Sequence, residues 1–134
     1  MRRVTLVVFI VVIGAACGGG DDSGSAGITA SPTIVASDFA YDQDVIEVQA
    51  GTEVVVELRN IGTLEHTWTV LQAGVAVTTG EEVLPDQVIA VMSVAAASAS
   101  TLTFVAPAPG DYQIVCTVPG HLEAGMEATL RSHG

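Results

Sequence analysis

Residues 52–60, TEVVVELRN, alternate without a break: Val54, Val56 and Leu58 point one way, Glu53, Glu57 and Arg59 the other. A period of two belongs to a strand with one face buried and one in water, typically within an antiparallel sheet. Shorter segments of the same kind recur along the chain. Ile34-Val35-Ala36 and the pair Ile46, Val48 flank the turn cluster Asp42-Gln43-Asp44, and Ala50-Gly51 closes the second of these strands. Asn60 and Gly62 make the next turn, after which His66, Trp68 and Val70 share one face. Residues 72–84 read as an irregular loop. Gln87 to Val94 and Ser100 to Val105 read as two strands, Tyr112, Ile114 and Cys116 begin another, and Glu127 to Arg131 returns as the last. No stretch has sustained helical periodicity with caps, although Val91 to Ala99 suits a short helical turn.

A chain of 134 residues has room for one domain and one core. Apolar residues make up 49% but aromatics only 4%, so valine, alanine, leucine and isoleucine must build that core, with Trp68 and Phe104 in it. Seven or eight short strands at this spacing imply an all-β fold, a two-sheet antiparallel Greek-key β-sandwich over residues 33–134.

The segment before it is of another kind. Arg2 and Arg3 precede the apolar run Val4 to Ile13 and the small residues Gly14, Ala15 and Ala16, the pattern of a signal peptide over residues 1–16. Cys17 follows at once, and the segment resembles a bacterial lipoprotein leader, which implies lipidation of Cys17. Gly14 and Ala16 also satisfy ordinary signal cleavage. Residues 17–32 are rich in glycine, serine and aspartate and read as a flexible tether. The expected location is therefore outside the cell membrane, on the periplasmic or extracellular face, with a lipid anchor at Cys17.

Without the leader the chain retains Arg59 and Arg131 against fifteen acidic residues and has no lysine. A phosphate backbone would be repelled, which excludes nucleic acid as a partner, whereas a basic protein would be steered in.

One loop carries the chemistry. Residues 116–126, CTVPGHLEAGM, place a cysteine, a histidine and a methionine five residues apart, with Pro119 and Gly120 forcing a turn between them. Thiolate, imidazole and thioether are the donors of a mononuclear copper electron-transfer site, which needs a second histidine. The loops at one end of a sandwich lie close together, so His66 can supply it. Cu(I) prefers sulfur and Cu(II) accepts imidazole, and the mixture serves both states. Zinc would accept the cysteine and histidines but not the thioether. A free buried thiol, or a disulfide between Cys116 and Cys17, is the plainer reading of the cysteine. His133 is expected to fray at the terminus.

Asn60 to Trp68 reads NxGxxxHxW, Pro107 to His121 reads PxPGDYxxxCTVPGH, and Gly125-Met126 follows. Together these resemble the cupredoxin, or blue copper, family of plastocyanin and azurin, over about residues 33–134. The resemblance implies one type 1 copper held by His66, Cys116 and His121, with Met126 as the long axial ligand. Many relatives carry asparagine after the first histidine, where it ties the two ligand loops together. This chain has Thr67 there.

The function implied is one-electron transfer between redox partner proteins by a monomer, through an exposed edge of His121 ringed by Pro119, Leu122 and Ala124. A copper-delivery lipoprotein without redox turnover is the alternative. A multicopper enzyme needs more than the three histidines present.

Overall fold

A computed structural model describes residues 27–134. The expected signal peptide, Cys17 and most of the expected tether lie outside the described residues. The strands are β1 (Thr33–Ser37), β2 (Ala40–Tyr41), β3 (Val45–Gln49), β4 (Glu53–Asn60), β5 (His66–Leu71), β6 (Val88–Val94), β7 (Ala99–Val105), β8 (Gly110–Val115) and β9 (Glu127–His133). One sheet has the order β2-β1-β4-β7 and the other β3-β9-β8-β5-β6. The two sheets face each other across a core formed by Ile34, Ile46, Val54, Val56, Leu58, Trp68, Val70, Ile114 and Leu130. The alternation in 52–60 is realised as expected, with Val54, Val56 and Leu58 fully buried and their neighbours turned outward.

The strands are not all antiparallel. β1 runs parallel to β4, and β3 runs parallel to β9. After β2 the chain leaves the first sheet, forms β3 in the second and returns as β4, so β1 and β4 are joined by a crossover and not a hairpin. The remaining pairs are antiparallel, as expected.

Three local expectations are corrected. Val91 to Ala99 contains no helix: β6 continues to Val94 and a turn with Ala97 at φ 55° leads into β7. The 72–84 loop is followed and partly ordered by single 3-10 turns at Gly80–Glu82 and Pro85–Gln87. His133 is not frayed, because it belongs to β9 opposite Gln49 and its carbonyl accepts the Ala50 N–H at 2.7 Å. Ordered backbone also extends a few residues ahead of β1. Thr29 N–H donates to the Glu47 carbonyl, and the Ala30 carbonyl accepts from Val55 N–H.

The stretch between β5 and β6 has a structural use. Strand β5 buries Thr69 and Leu71 as well as Trp68 and Val70, so both of its faces are covered. Leu71, Val115 and Leu122 form a second apolar cluster with Val75, Val77 and Val83 of the covering segment and Val88 at the start of β6. Gln113 fastens this flap through both ends of its amide, accepting from Val77 N–H at 2.9 Å and donating to the Val77 carbonyl at 3.0 Å. Among the described residues no helix is long and apolar enough to cross a membrane.

Candidate metal centre

Two loops and two strand ends converge at one pole of the sandwich. His66 is the first residue of β5, and the loop before it is shaped by Asn60, which is almost fully buried. The Asn60 amide donates to the carbonyls of Leu64 and Ala95 at 2.7 and 3.1 Å and accepts from Gly62 N–H at 2.8 Å. An asparagine side chain can satisfy backbone groups on both sides of a turn in this way. Cys116 follows β8 directly, carried there by Tyr112, whose hydroxyl donates to the Ala108 carbonyl at 2.7 Å. Tyr112 therefore anchors the strand. The loop closes on itself at its base: Cys116 N–H donates to the Met126 carbonyl at 3.1 Å and Met126 N–H to the His121 carbonyl at 3.0 Å.

The side chains of His66, Cys116 and His121 meet, with one donor atom from each lying within 4.8 Å of the others. The two Nδ1 atoms are 3.2 Å apart, and His121 Nδ1 is 3.5 Å from Cys116 Sγ. All three residues are buried, and Met126 is fully buried at the foot of β9. The thiol is free, and no disulfide is present among the described residues. Sequence spacing thus brings together residues fifty positions apart, as a sandwich pole requires.

The fit to a metal can be judged from the hydrogen-bonding groups. His66 Nε2 lies 3.3 Å from the Asp38 carboxylate, within charge-pairing distance but short of a well-aligned hydrogen bond, since Nε2 has no fully formed partner. A carboxylate on that side favours the proton on Nε2 and leaves the Nδ1 lone pair facing the other donors. Burial and the neighbouring His121 hold His66 below the ordinary imidazole range, against a smaller upward pull from Asp38. The donor set of two imidazoles, a thiolate and a thioether suits a single type 1 copper.

Thr67 makes the tie expected of asparagine. Thr117 N–H donates to Thr67 Oγ1 at 2.7 Å, the two threonine hydroxyls are 3.0 Å apart, and Thr67 N–H donates to Cys116 Sγ at 3.4 Å. Tyr41 donates its hydroxyl to the Thr67 carbonyl. Burial raises this phenol well above its ordinary range, so it remains a neutral donor.

One expectation about the surface is overturned. His121 is only 4% exposed, so whatever edge it presents is narrow, and Leu122 is 6% exposed and does not ring that edge, because it packs into the cluster under the flap. Pro119 and Ala124 are exposed as expected. Sequence reasoning also missed Asp38 and Phe39, which lie in the β1–β2 turn with no motif around them. Both touch the ligand histidines.

The comparisons agree with this geometry. The family of copper-binding proteins of the plastocyanin/azurin type matches residues 29–132. Auracyanin-A of Chloroflexus aurantiacus is 29% identical over 147 residues, covering 90% of this chain and 91% of its own. Dithionite-reduced auracyanin of Roseiflexus castenholzii superposes with a TM-score of 0.73 at 27% identity, over 81% of this chain and 100% of its own. Rusticyanin of Thiobacillus ferrooxidans shares the fold, with a TM-score of 0.63 at 18% identity over 78% of this chain and 79% of its own. On this match and on the buried histidine, cysteine and methionine set, the chain belongs to the plastocyanin/azurin family of copper-binding proteins.

Proposed function

We propose that this protein is a one-electron carrier whose single copper is held by His66, Cys116 and His121, with Met126 as the weak axial ligand. One observation carries the reading: two imidazole Nδ1 atoms and a thiol sulfur, all from buried residues, meet at the end of a sandwich. Copper in such a site supplies a change of one electron between Cu(II) and Cu(I). The work of the chain is to keep the donors where they are. Thr67 N–H supports the sulfur in its thiolate form, Asp38 orients His66, and the backbone bonds between Cys116, His121 and Met126 fix the loop. Auracyanin A of Chloroflexus aurantiacus, similar in structure, is described as a "blue" copper protein. An enzyme with a second copper centre finds no support, since the remaining histidine, His133, sits beside Glu47.

The absorption spectrum of the copper-loaded domain tests the assignment. An intense sulfur-to-copper band is expected, and Cys116→Ser abolishes it. Met126→Gln keeps the metal and lowers the reduction potential; an unchanged potential removes Met126 from the ligand set. Rapid loss of copper to a chelator, with no turnover between a donor and an acceptor, would favour copper delivery instead.

The reading extends to location and partners on sequence grounds. We infer export by residues 1–16, lipidation of Cys17, a monomer on a tether and exchange of electrons with partner proteins at a membrane surface. Cys17→Ser moving the protein from the membrane to the soluble fraction is the expected result, and retention at the membrane would refute the anchor.

A further inference from the structure

The turn between β1 and β2 forms an outer wall of the metal pocket. Asp38 reaches His66, and the Phe39 ring meets the His121 ring edge to face, with centroids 5.0 Å apart and planes at 70°. Phe39 is 44% exposed and His121 is 4% exposed. The phenyl ring therefore carries the solvent contact at a place where the imidazole has almost none.

Phe39 holds this place in a backbone conformation unusual for it. Its φ is 67°, a left-handed value that a bulky residue adopts only where its surroundings impose it. Glycine or asparagine would sit there with less strain. The surroundings that impose it are visible. The Asp38 carboxylate accepts from Thr63 N–H at 2.9 Å, from Thr63 Oγ1 at 2.8 Å and from Leu64 N–H at 3.3 Å. Gly62 leaves room for that carboxylate, since a Cβ there would lie 2.2 Å from Asp38 Oδ1. The turn is thus clamped to the loop that delivers His66, and the clamp points the phenyl ring at the other histidine.

We propose that Phe39 is a shield over His121, a positioning residue that keeps water and small solutes off the imidazole and slows exchange of whatever His121 binds. The strained backbone is retained because it is what sets the ring over His121. The shield deepens the electron-carrier reading and rests on it only where copper is concerned, so the experiment has a metal-free arm.

In the metal-free protein, reaction with diethyl pyrocarbonate is followed histidine by histidine by peptide mass spectrometry. Phe39→Gly should speed modification of His121 roughly tenfold or more, as expected when access no longer waits on local opening. His133, far from the turn, should react as before and serves as the reference. Phe39→Asn, which tolerates the same backbone, repeats the test if the glycine variant folds poorly, and Phe39→Leu should restore most of the protection. In the copper-loaded protein, capture of Cu(I) by bathocuproine disulfonate should accelerate in the same order of variants. A merely structural role for Phe39 would change the unfolding midpoint without changing the ratio of His121 to His133 modification. Equal His121 reactivity in the wild-type, glycine and asparagine proteins would overturn the shield. Acceleration in the metal-free arm together with a wild-type protein that binds no copper would leave the shield standing and sink the copper reading.

Discussion

Thr67 shows how a threonine can do the work of a bridging asparagine. The motif places it after His66, where an asparagine would bridge two loops. Its single hydroxyl does the bridging, accepting from Thr117 N–H while lying 3.8 Å from Cys116 Sγ. Thr67→Val keeps the shape and removes the acceptor, leaving Thr117 N–H without its partner. The expected loss is about 1–3 kcal/mol of stability, with a shift of the sulfur-to-copper band; an unshifted band in the folded variant would show that the hydroxyl does not reach the thiolate. The four donors were legible because cysteine, histidine and methionine in that order, with turn residues between, have few other uses together. Asp38 and Phe39 were not, since a lone acidic residue and a lone phenylalanine in a turn carry no periodicity. Their role depends on a left-handed backbone that only the folded chain reveals.

At the scale of elements, strand identity followed from alternation, and the failures occurred where alternation lapses. Small residues across 95–99 fit a helical turn as well as a tight strand connection, and the pairing of β7 with β4 decided for the connection. The flap after β5 was read as loose because it lacks a period, yet its valines cover the outer face of β5 and bury Leu122 from the far side. Gly80 sits where the flap meets the cysteine loop: a Cβ there would fall 2.7 Å from the Thr117 carbonyl oxygen. Backbone on backbone cannot yield as a flexible side chain does. Gly80→Ala is expected to destabilise the protein by about 1–3 kcal/mol, as overpacking does, and to broaden or shift the copper band. An unchanged melting temperature and spectrum would mean that the flap moves freely against Thr117.

Across the whole molecule, charge and titration set the conditions of use. With so few basic groups, electron transfer to a basic partner should slow as ionic strength rises from 0.01 to 0.15 M, over which screening shortens from about 30 to about 8 Å. A rate independent of salt would show that the field plays no part in the encounter. The hydrogen bonds of Arg131 to Asp111, of Thr63 to Asp38 and of Thr78 to Glu82 hold these carboxylates below their ordinary values. Groups lowered on folding stabilise above their unfolded values, and that contribution is lost as pH falls through the folded ones. His66 is lowered likewise, so the metal-free protein should begin to lose stability below about pH 6.5 and lose more below about pH 4. Bound copper, by competing with the proton, should move the first of these steps to lower pH. A melting temperature of the metal-free form that is flat from pH 8 to pH 5 would contradict the depressed imidazole.

The parallel union of β3 with β9 has a bearing on when the protein is made ready. Strand β9 follows the cysteine loop in the chain, holds β3 on one side and β8 on the other, and begins just past Met126. Until it docks, β3 has no partner in the sheet and the thioether has no fixed address. Under the export proposed above, a polypeptide threaded unfolded through a translocon would have no cradle to load on the way, and metallation would follow crossing, from the copper supply of the compartment where folding finishes.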